Sequence, residues 1–321
     1  MHILLTGVAG FIGSHLTERL LAEGHTIVGL DDFNDFYDPA RKRRNLAQVL
    51  NRDTFRLVEG DILDYPLLGK LFAEDSFDAI IHLAARAGVR PSIREPLLYQ
   101  EVNCRGTNNL LEMARQHGVG LFLFASSSSV YGANKKIPFA EDDPVDCPVS
   151  PYAATKKAGE LLCYTYHHLF GLSVSCLRFF TVYGPRQRPD MAIHTFTRLI
   201  DAGQKVPMFG DGTSRRDYTF ITDIIDGVVA ALERCRGYAI YNLGESRTVE
   251  LRYLVSLISA ALGKEALVEH LPEQPGDVPV TYADISRAQS ALDYAPKVPI
   301  EEGIERFVAW YQAQRDLETC L

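Results

Sequence analysis

The chain has 321 residues, 46% hydrophobic, 10% aromatic and 23% charged, which is ordinary usage for a soluble globular protein. That length buries a sizeable core without disulfides or metals and carries a prior of about two domains. Lysine and arginine number 33 against 41 aspartates and glutamates, and the net charge of −8 argues against a nucleic-acid partner while leaving room for a local anion pocket. No apolar run reaches the ~18 residues of a membrane span. Met1-His2 leads straight into Ile3-Leu4-Leu5 without space for a leader, so a cytoplasmic protein with no membrane partner is expected. Cys104, Cys147, Cys163, Cys176, Cys235 and Cys320 are scattered with no CxxC pair. They read as free thiols, and no metal site is expected.

Short apolar runs at His2–Thr6, Thr26–Leu30, Thr54–Glu59, Ala79–Leu83, Leu121–Ala125 and Ser173–Phe180 read as strands. Helical patterns at Phe11–Glu23, Tyr65–Glu74, Thr107–His117 and Tyr152–Phe170 lie between them. This alternation predicts an α/β fold, a doubly wound parallel sheet of the Rossmann type, with ligands beyond the carboxyl ends of the strands. After Phe180 the rhythm breaks into Gly/Pro punctuation, with further helical patterns at Ile193–Ala202, Ile224–Glu233, Leu251–Leu262 and Ile300–Gln314. A smaller C-terminal α/β domain packed at the sheet's C-terminal edge is expected there.

Residues 6–13, Thr6-Gly7-Val8-Ala9-Gly10-Phe11-Ile12-Gly13, join the first strand to the first helix. Glycines let such a loop turn tightly and approach a pyrophosphate, which the helix N-terminus then attracts. The spacing is GxxGxxG, and its position between strand and helix strengthens it. Asp31-Asp32 follows the second strand eighteen residues after Gly13. An acidic residue ~20 residues past the glycines accepts hydrogen bonds from an adenosine ribose and repels a 2′-phosphate, favouring NAD over NADP. Arg41-Lys42-Arg43-Arg44 could reach a phosphate, but it reads better as a solvated helix face. Asp61 and Ile62 close the third strand in reach of an adenine. Leu83-Ala84-Ala85 closes the fourth with small side chains, and Asn103 could hold a nearby loop.

Tyr152-Ala153-Ala154-Thr155-Lys156 puts a phenol and an ammonium on one helical face. A tyrosine at its ordinary pKa of about 10 is a poor base, and a lysine cation beside it draws that value down. Tyr131 and Lys135 share the spacing but bracket the turn Gly132-Ala133-Asn134. Spacing alone also leaves Tyr152 open as an ordinary helix-start tyrosine. Ser126-Ser127-Ser128-Ser129 follows the fifth strand and offers a hydroxyl to a reacting oxygen, or a turn.

Glycines, Asp31, serine run and Tyr/Lys pair in this order resemble the extended short-chain dehydrogenase/reductase superfamily over essentially the full length. Within it the chain looks like the nucleotide-sugar epimerases and dehydratases, and more narrowly the UDP-glucuronate 4-epimerases. The stretches that carry the narrower resemblance are residues 31–39 (DDFNDFYDP), 82–90 (HLAARAGVR), 178–185 (RFFTVYGP), 188–192 (RPDMA) and 274–279 (QPGDVP). The resemblance implies residues 1–180, with roughly 214–245 returning, as an NAD-binding domain, and 181–213 with 246–321 as a nucleotide-sugar domain. It implies Ser127, Tyr152 and Lys156 as catalytic residues. The cofactor would meet Gly7, Gly10, Phe11, Ile12, Gly13, Asp31, Asp32, Asn34, Asp61, Ile62, Leu83, Ala84, Ala85, Asn103 and Phe180, besides Tyr152 and Lys156. A UDP-sugar would meet Arg90, Ser128, Ser129, Thr181, Arg188, Met191, Ala192, Val206, Met208, Phe209, Arg216 and Asp277. Thr181 stands where relatives handling neutral hexoses often have asparagine. Gln274-Pro275 replaces a second phosphate-binding arginine, which puts the number of phosphate contacts in doubt. Ser128-Ser129 occupy the positions where 4,6-dehydratases place Asp-Glu, which argues against dehydration.

The implied reaction removes the 4-hydroxyl proton and the C4 hydride, passes through a 4-keto sugar and returns the hydride to the opposite face, so a tightly held NAD is regenerated each turn. Arg90, Thr181 and Arg188 are candidates for holding the C6 carboxylate; Arg188 could equally pair with Asp190 or face solvent. A UDP-glucose/galactose 4-epimerase, a UDP-glucuronate decarboxylase and a non-catalytic NAD-binding sensor are the alternatives. A homodimer through Thr107–His117 and Tyr152–Phe170 is implied by resemblance, with Leu110, Leu111, Leu161 and Leu162 fitting either that interface or burial within one chain.

Overall fold

The structure, a computed structural model, describes residues 1–272 and 278–319, with side chains to 316. Asp277, most of the 274–279 stretch and Cys320 lie outside the described residues. Six strands form the first half: β1 (His2–Thr6), β2 (Thr26–Asp31), β3 (Phe55–Glu59), β4 (Ala79–His82), β5 (Leu121–Ser127) and β6 (Ser173–Phe179). Later come β7 (Thr181–Tyr183), β8 (Lys205–Phe209), β9 (Arg215–Phe220), β10 (Tyr238–Leu243), β11 (Thr248–Glu250) and β12 (Leu267–Leu271). The main sheet has seven strands in the order β10-β6-β5-β4-β1-β2-β3, every neighbouring pair parallel. Such strands are buried on both faces, and their alternation shows it: Ile3 and Leu5 enter one core cluster while Leu4 enters the other. The strand order reverses between β1 and β4, so the loops after these two strands face each other across the switch point.

The helices that matter for the site are α1 (Phe11–Ala22), α2 (Pro39–Leu46), α3 (Tyr65–Glu74), α4 (Val89–Arg94), α5 (Pro96–Tyr99), α6 (Gly106–Gln116) and α7 (Pro151–Phe170). The expected helix at Thr107–His117 begins earlier than its pattern shows. A π-helical stretch at Gln100–Arg105 runs straight into α6 and carries Asn103. Helix α2 has few apolar residues and no readable stripe, yet Asp38 caps it through the Ala40 N–H and Pro39 occupies its first turn. Beyond β6 the chain leaves the sheet, forms β7, β8 and β9, and returns as β10; β11 and β12 then complete the small sheets β11-β9-β7 and β12-β8. The strands of the small sheets were not legible from periodicity, since β7 and β11 are only three residues long and Pro207 interrupts β8.

Candidate active site

A cavity of about 480 Å3 opens at the carboxyl ends of the parallel strands, across the β1/β4 switch point. Gly7 makes the turn after β1 at φ +73°, and a Cβ there would stand 2.7 Å from the Ala84 backbone nitrogen. A Cβ on Gly13 would collide with the Gly7 carbonyl oxygen. Gly10 opens α1 without a side-chain cap, so the first-turn N–H groups of Phe11, Ile12 and Gly13 have no acceptor within the helix and line the cavity. An anionic diphosphate fits this cradle, which only residues without side chains leave open.

At the ribose end both carboxylate oxygens of Asp31 are engaged. Oδ2 accepts from the Ala9 N–H and Oδ1 from the Phe33 N–H, each at 3.0 Å. Lys42 Nζ lies 3.9 Å from Asp31 Oδ1 and 5.1 Å over the Tyr37 ring. The expectation of a solvated Arg41–Arg44 face is corrected here: Arg43 and Arg44 are exposed, but Lys42 is only 4% exposed and lines the cavity. Burial lowers the lysine's pKa from its ordinary value, and the carboxylate of Asp31 opposes that shift. Asp61 accepts from the Leu63 N–H at 2.9 Å, and Asn109 donates to the Ile62 carbonyl at 3.0 Å.

At the other end, Ser150 Oγ accepts from the Ala153 N–H at 3.1 Å and Pro151 fixes the first turn of α7. Tyr152 and Lys156 then share a helical face. The half-buried Tyr152 packs edge-on against Tyr99, ring centres 6.2 Å apart, and its phenol engages the Ser127 hydroxyl. Ser127 Oγ accepts from the Ser129 N–H at 3.2 Å and from the Ser129 hydroxyl at 2.9 Å, which leaves its own proton to donate. Lys156 Nζ donates to the Ala125 carbonyl at 2.6 Å, and burial brings its pKa down to about 8. Burial raises the phenol above its ordinary pKa, while the Ser127 hydrogen bond and the positive charge of Arg188 pull it back. Arg188 is thus a cation acting on the phenol that the sequence did not point to, while Lys156 spends one of its three ammonium protons on Ala125. Arg188 also holds Asp190 by two bonds of 3.0 and 2.8 Å and lies 5.2 Å over Phe36.

The competing pair separates. Tyr131 is buried and donates to Asn242 Oδ1 at 2.7 Å, whereas Lys135 is exposed. Of the expected residues, all three catalytic ones and every cofactor residue but Asn103 line the cavity. Asn103 stands one layer behind, where its amide clasps both backbone groups of Arg86 at 2.8 and 3.0 Å, so it shapes the wall. Ser128, Ser129, Thr181, Arg188, Met191 and Arg216 line the cavity; Arg90, Ala192, Val206, Met208 and Phe209 do not. Strand alternation turns Val206 and Met208 into the core, so a ligand there would meet only their backbone. Arg90 instead stacks on Phe209 at 4.8 Å. Sequence reasoning missed Lys42, Phe36, Tyr37, Arg86 and Phe139 as lining residues. The Asp38-Pro39 helix start was the signal available for the first three. Among the described residues no group of side chains is arranged to hold a metal, and no helix is long and apolar enough to cross a membrane.

Residues 3–244 match the NAD dependent epimerase/dehydratase family. A UDP-glucuronate 4-epimerase from Thermodesulfobacterium geofontis is 45% identical over 98% of both chains. The crystal structure of a UDP-glucuronic acid 4-epimerase from Bacillus cereus, in complex with UDP-glucuronic acid and NAD, is 38% identical. It superimposes with a TM-score of 0.93 over 98% of this chain and 100% of that one. A dTDP-glucose 4,6-dehydratase from Streptomyces venezuelae is 32% identical and reaches 0.92 over 99% of this chain and 98% of that one. Two chemistries therefore share this backbone almost equally well, and the side chains at the site must choose between them.

Proposed function

Because the chain belongs to the NAD dependent epimerase/dehydratase family, we propose that it interconverts UDP-glucuronate and UDP-galacturonate by inverting C4. The observation that carries this reading is the convergence of Tyr152, Ser127 and Lys156 on one wall of a cavity whose opposite end is the glycine cradle. Ser128 and Ser129 support epimerisation over dehydration, since neither carries an acid or base able to expel water across C5–C6. The narrower choice of uronic acid rests on the similarity to the two UDP-glucuronate epimerases.

The glycine loop, Asp31, Lys42 and Asp61 would hold NAD, which when bound supplies a hydride acceptor and donor at the sugar carbon with no net redox change. Tyr152 takes the C4 hydroxyl proton, and Ser127 donates to the same oxygen as it becomes a carbonyl. Arg188 favours the phenolate. Arg216 meets the diphosphate from β9, and this tether lets the sugar turn without leaving. The 4-keto uronate is a β-keto acid that is prone to lose carbon dioxide. Arg188, Thr181 and the Ser128-Ser129 hydroxyls hold its carboxylate as a paired anion, in a conformation where the C5–C6 bond is poorly aligned with the carbonyl. In this reading residues 1–180 with roughly 214–245 serve the cofactor, and 181–213 with 246–321 the sugar nucleotide.

The test is incubation with UDP-glucuronate, UDP-glucose or UDP-xylose without added NAD, followed by NMR of the products. UDP-galacturonate from the first substrate is expected. Faster turnover of UDP-glucose would shift the assignment to neutral hexoses, and a 4-ketopentose as main product would make the chain a decarboxylase. Stoichiometric NAD without turnover would leave a sensor.

The protein is further proposed to act as a cytoplasmic homodimer. Leu110 and Leu111, expected to fit either role, are fully buried within the chain, whereas Leu97 (80% exposed), Leu161 (55%), Ile93 and Tyr164 are apolar and open on α4, α5 and α7. A second copy covers them in this reading. Light scattering should give twice the 35.8 kDa chain mass, and Leu97→Asp with Leu161→Asp should give a monomer; a monomeric wild type rules the pairing out.

A further inference from the structure

Three consecutive residues at the end of β5 meet three residues spaced one turn apart on α7. Lys156 Nζ donates to the Ala125 carbonyl at 2.6 Å, the Ser126 hydroxyl donates to Glu160 Oε1 at 2.6 Å, and the Tyr152 phenol engages Ser127. Two of these rungs carry groups already placed in the chemistry. The third ends on Glu160, which is fully buried and lines no part of the cavity.

A carboxylate in that place is costly unless its charge and lone pairs are met. They are met by Arg178, itself 1% exposed, whose Nε reaches Oε1 at 2.8 Å and whose Nη2 reaches Oε2 at 2.9 Å. Lys157 Nζ adds a contact at 3.5 Å. Arg178 is the register partner of Ser126 across the β5–β6 pair, so one carboxylate ties α7 to two adjacent strands at the height of the site. The remaining Arg178 nitrogen continues to the Tyr131 hydroxyl at 3.0 Å and the Glu141 carbonyl at 3.2 Å. Tyr131 stacks on Phe139, a wall of the cavity, with ring centres 4.7 Å apart. A charged network this well satisfied resists sliding, because any shift of the helix breaks several bonds in low dielectric at once.

We propose that Glu160, with Arg178 and Ser126, is a positioning residue for proton transfer at Tyr152. It sets the height and rotation of α7 over β5 and thereby the alignment of phenol, Ser127 and substrate oxygen. The inference rests on the C4-epimerase reading of the cavity.

The test uses the holoenzyme and UDP-glucuronate. Ser126→Ala removes the rung between β5 and Glu160 and leaves the Glu160–Arg178 pair whole; Ser126 also lines the cavity, so KM is read beside kcat to separate lost alignment from a lost ligand contact. The substitution should lower kcat on the order of 10- to 100-fold while KM moves less than about twofold. The share of 4-ketopentose in the product should rise, because slower hydride return lengthens the life of the β-keto acid. Ser126→Thr, which keeps the hydroxyl, should restore both. Glu160→Gln should lower kcat further; if that variant fails to fold, the Ser126 pair decides. Wild-type kcat and product ratio in Ser126→Ala, whatever its Tm, would overturn the proposal, and so would a raised KM at unchanged kcat. A wild-type protein that leaves UDP-glucuronate untouched removes the epimerase reading itself, an outcome visible before any variant is made.

Discussion

In the proposed reaction one side chain, Arg188, serves two steps. Its guanidinium pairs with Asp190, lies over Phe36 and still lowers the Tyr152 phenol pKa through its charge. Removing it in Arg188→Ala leaves the Ser127 hydrogen bond alone against burial, so the phenol pKa rises. The pH at which kcat/KM reaches half its plateau should then move up, and the ketopentose share should grow; an unchanged profile and product ratio would take the residue out of both roles. His82 tests the opposite wall of β4. Thr107 spends its proton on the Asn103 carbonyl at 2.6 Å, so it accepts from His82 Nε2, and Thr6 donates to Nδ1. The ring is held neutral with no acceptor for a second proton, and burial lowers its pKa to about 3. The unfolded chain takes that proton at about 6.5, so stability is whole above that value and declines as pH falls toward 3. Thermal melts between neutral and acid pH should show this slope flattened in His82→Gln; parallel curves would contradict it. At this scale the sequence was a good guide wherever backbone made the site. Gly7, Gly13 and Ala84 are named by the chemistry of close approach, but a charge such as Lys42 is exposed or buried according to a helix rotation that no local pattern records.

Elements were legible in proportion to how strongly periodicity marked them. Strands β1 to β6 and helices α3 and α7 lie within a residue or two of their patterns, because parallel strands and core-facing helices need apolar residues at fixed intervals. Helix α2 was read only as a basic helix face at 41–44, without bounds, because half its residues are charged and no apolar stripe marks it; the π-helical stretch before α6 was missed because it departs from the 3.6-residue period. The glycine loop offers the sharpest check at this level. Gly13→Ala forces a Cβ against the Gly7 carbonyl oxygen, so either α1 lifts from the loop or the loop leaves Ala84. The purified variant should carry little NAD and lose about 1–3 kcal/mol of stability, seen in cofactor content and Tm. Full NAD content with an unchanged Tm would show that the contact yields freely.

At the scale of the whole molecule, the last strand of the sheet arrives late. β10 pairs with β6 only after the chain has built β7, β8 and β9, and the Phe180 N–H donates to the Leu243 carbonyl at 3.0 Å just where the two crossings lie side by side. Residue patterning shows the excursion only as a loss of rhythm, since pairing between distant segments leaves no local trace; the return over roughly 214–245 was implied by resemblance alone. A chain cut at residue 180 would bare β6, from Val174 to Phe179, as an open border with unmet backbone groups. It should therefore precipitate or self-associate, and a soluble, monomeric N-terminal fragment would disprove this. The seven-stranded sheet is not drawn from one continuous stretch: its outermost strand is supplied by chain that has first gone to build β7, β8 and β9.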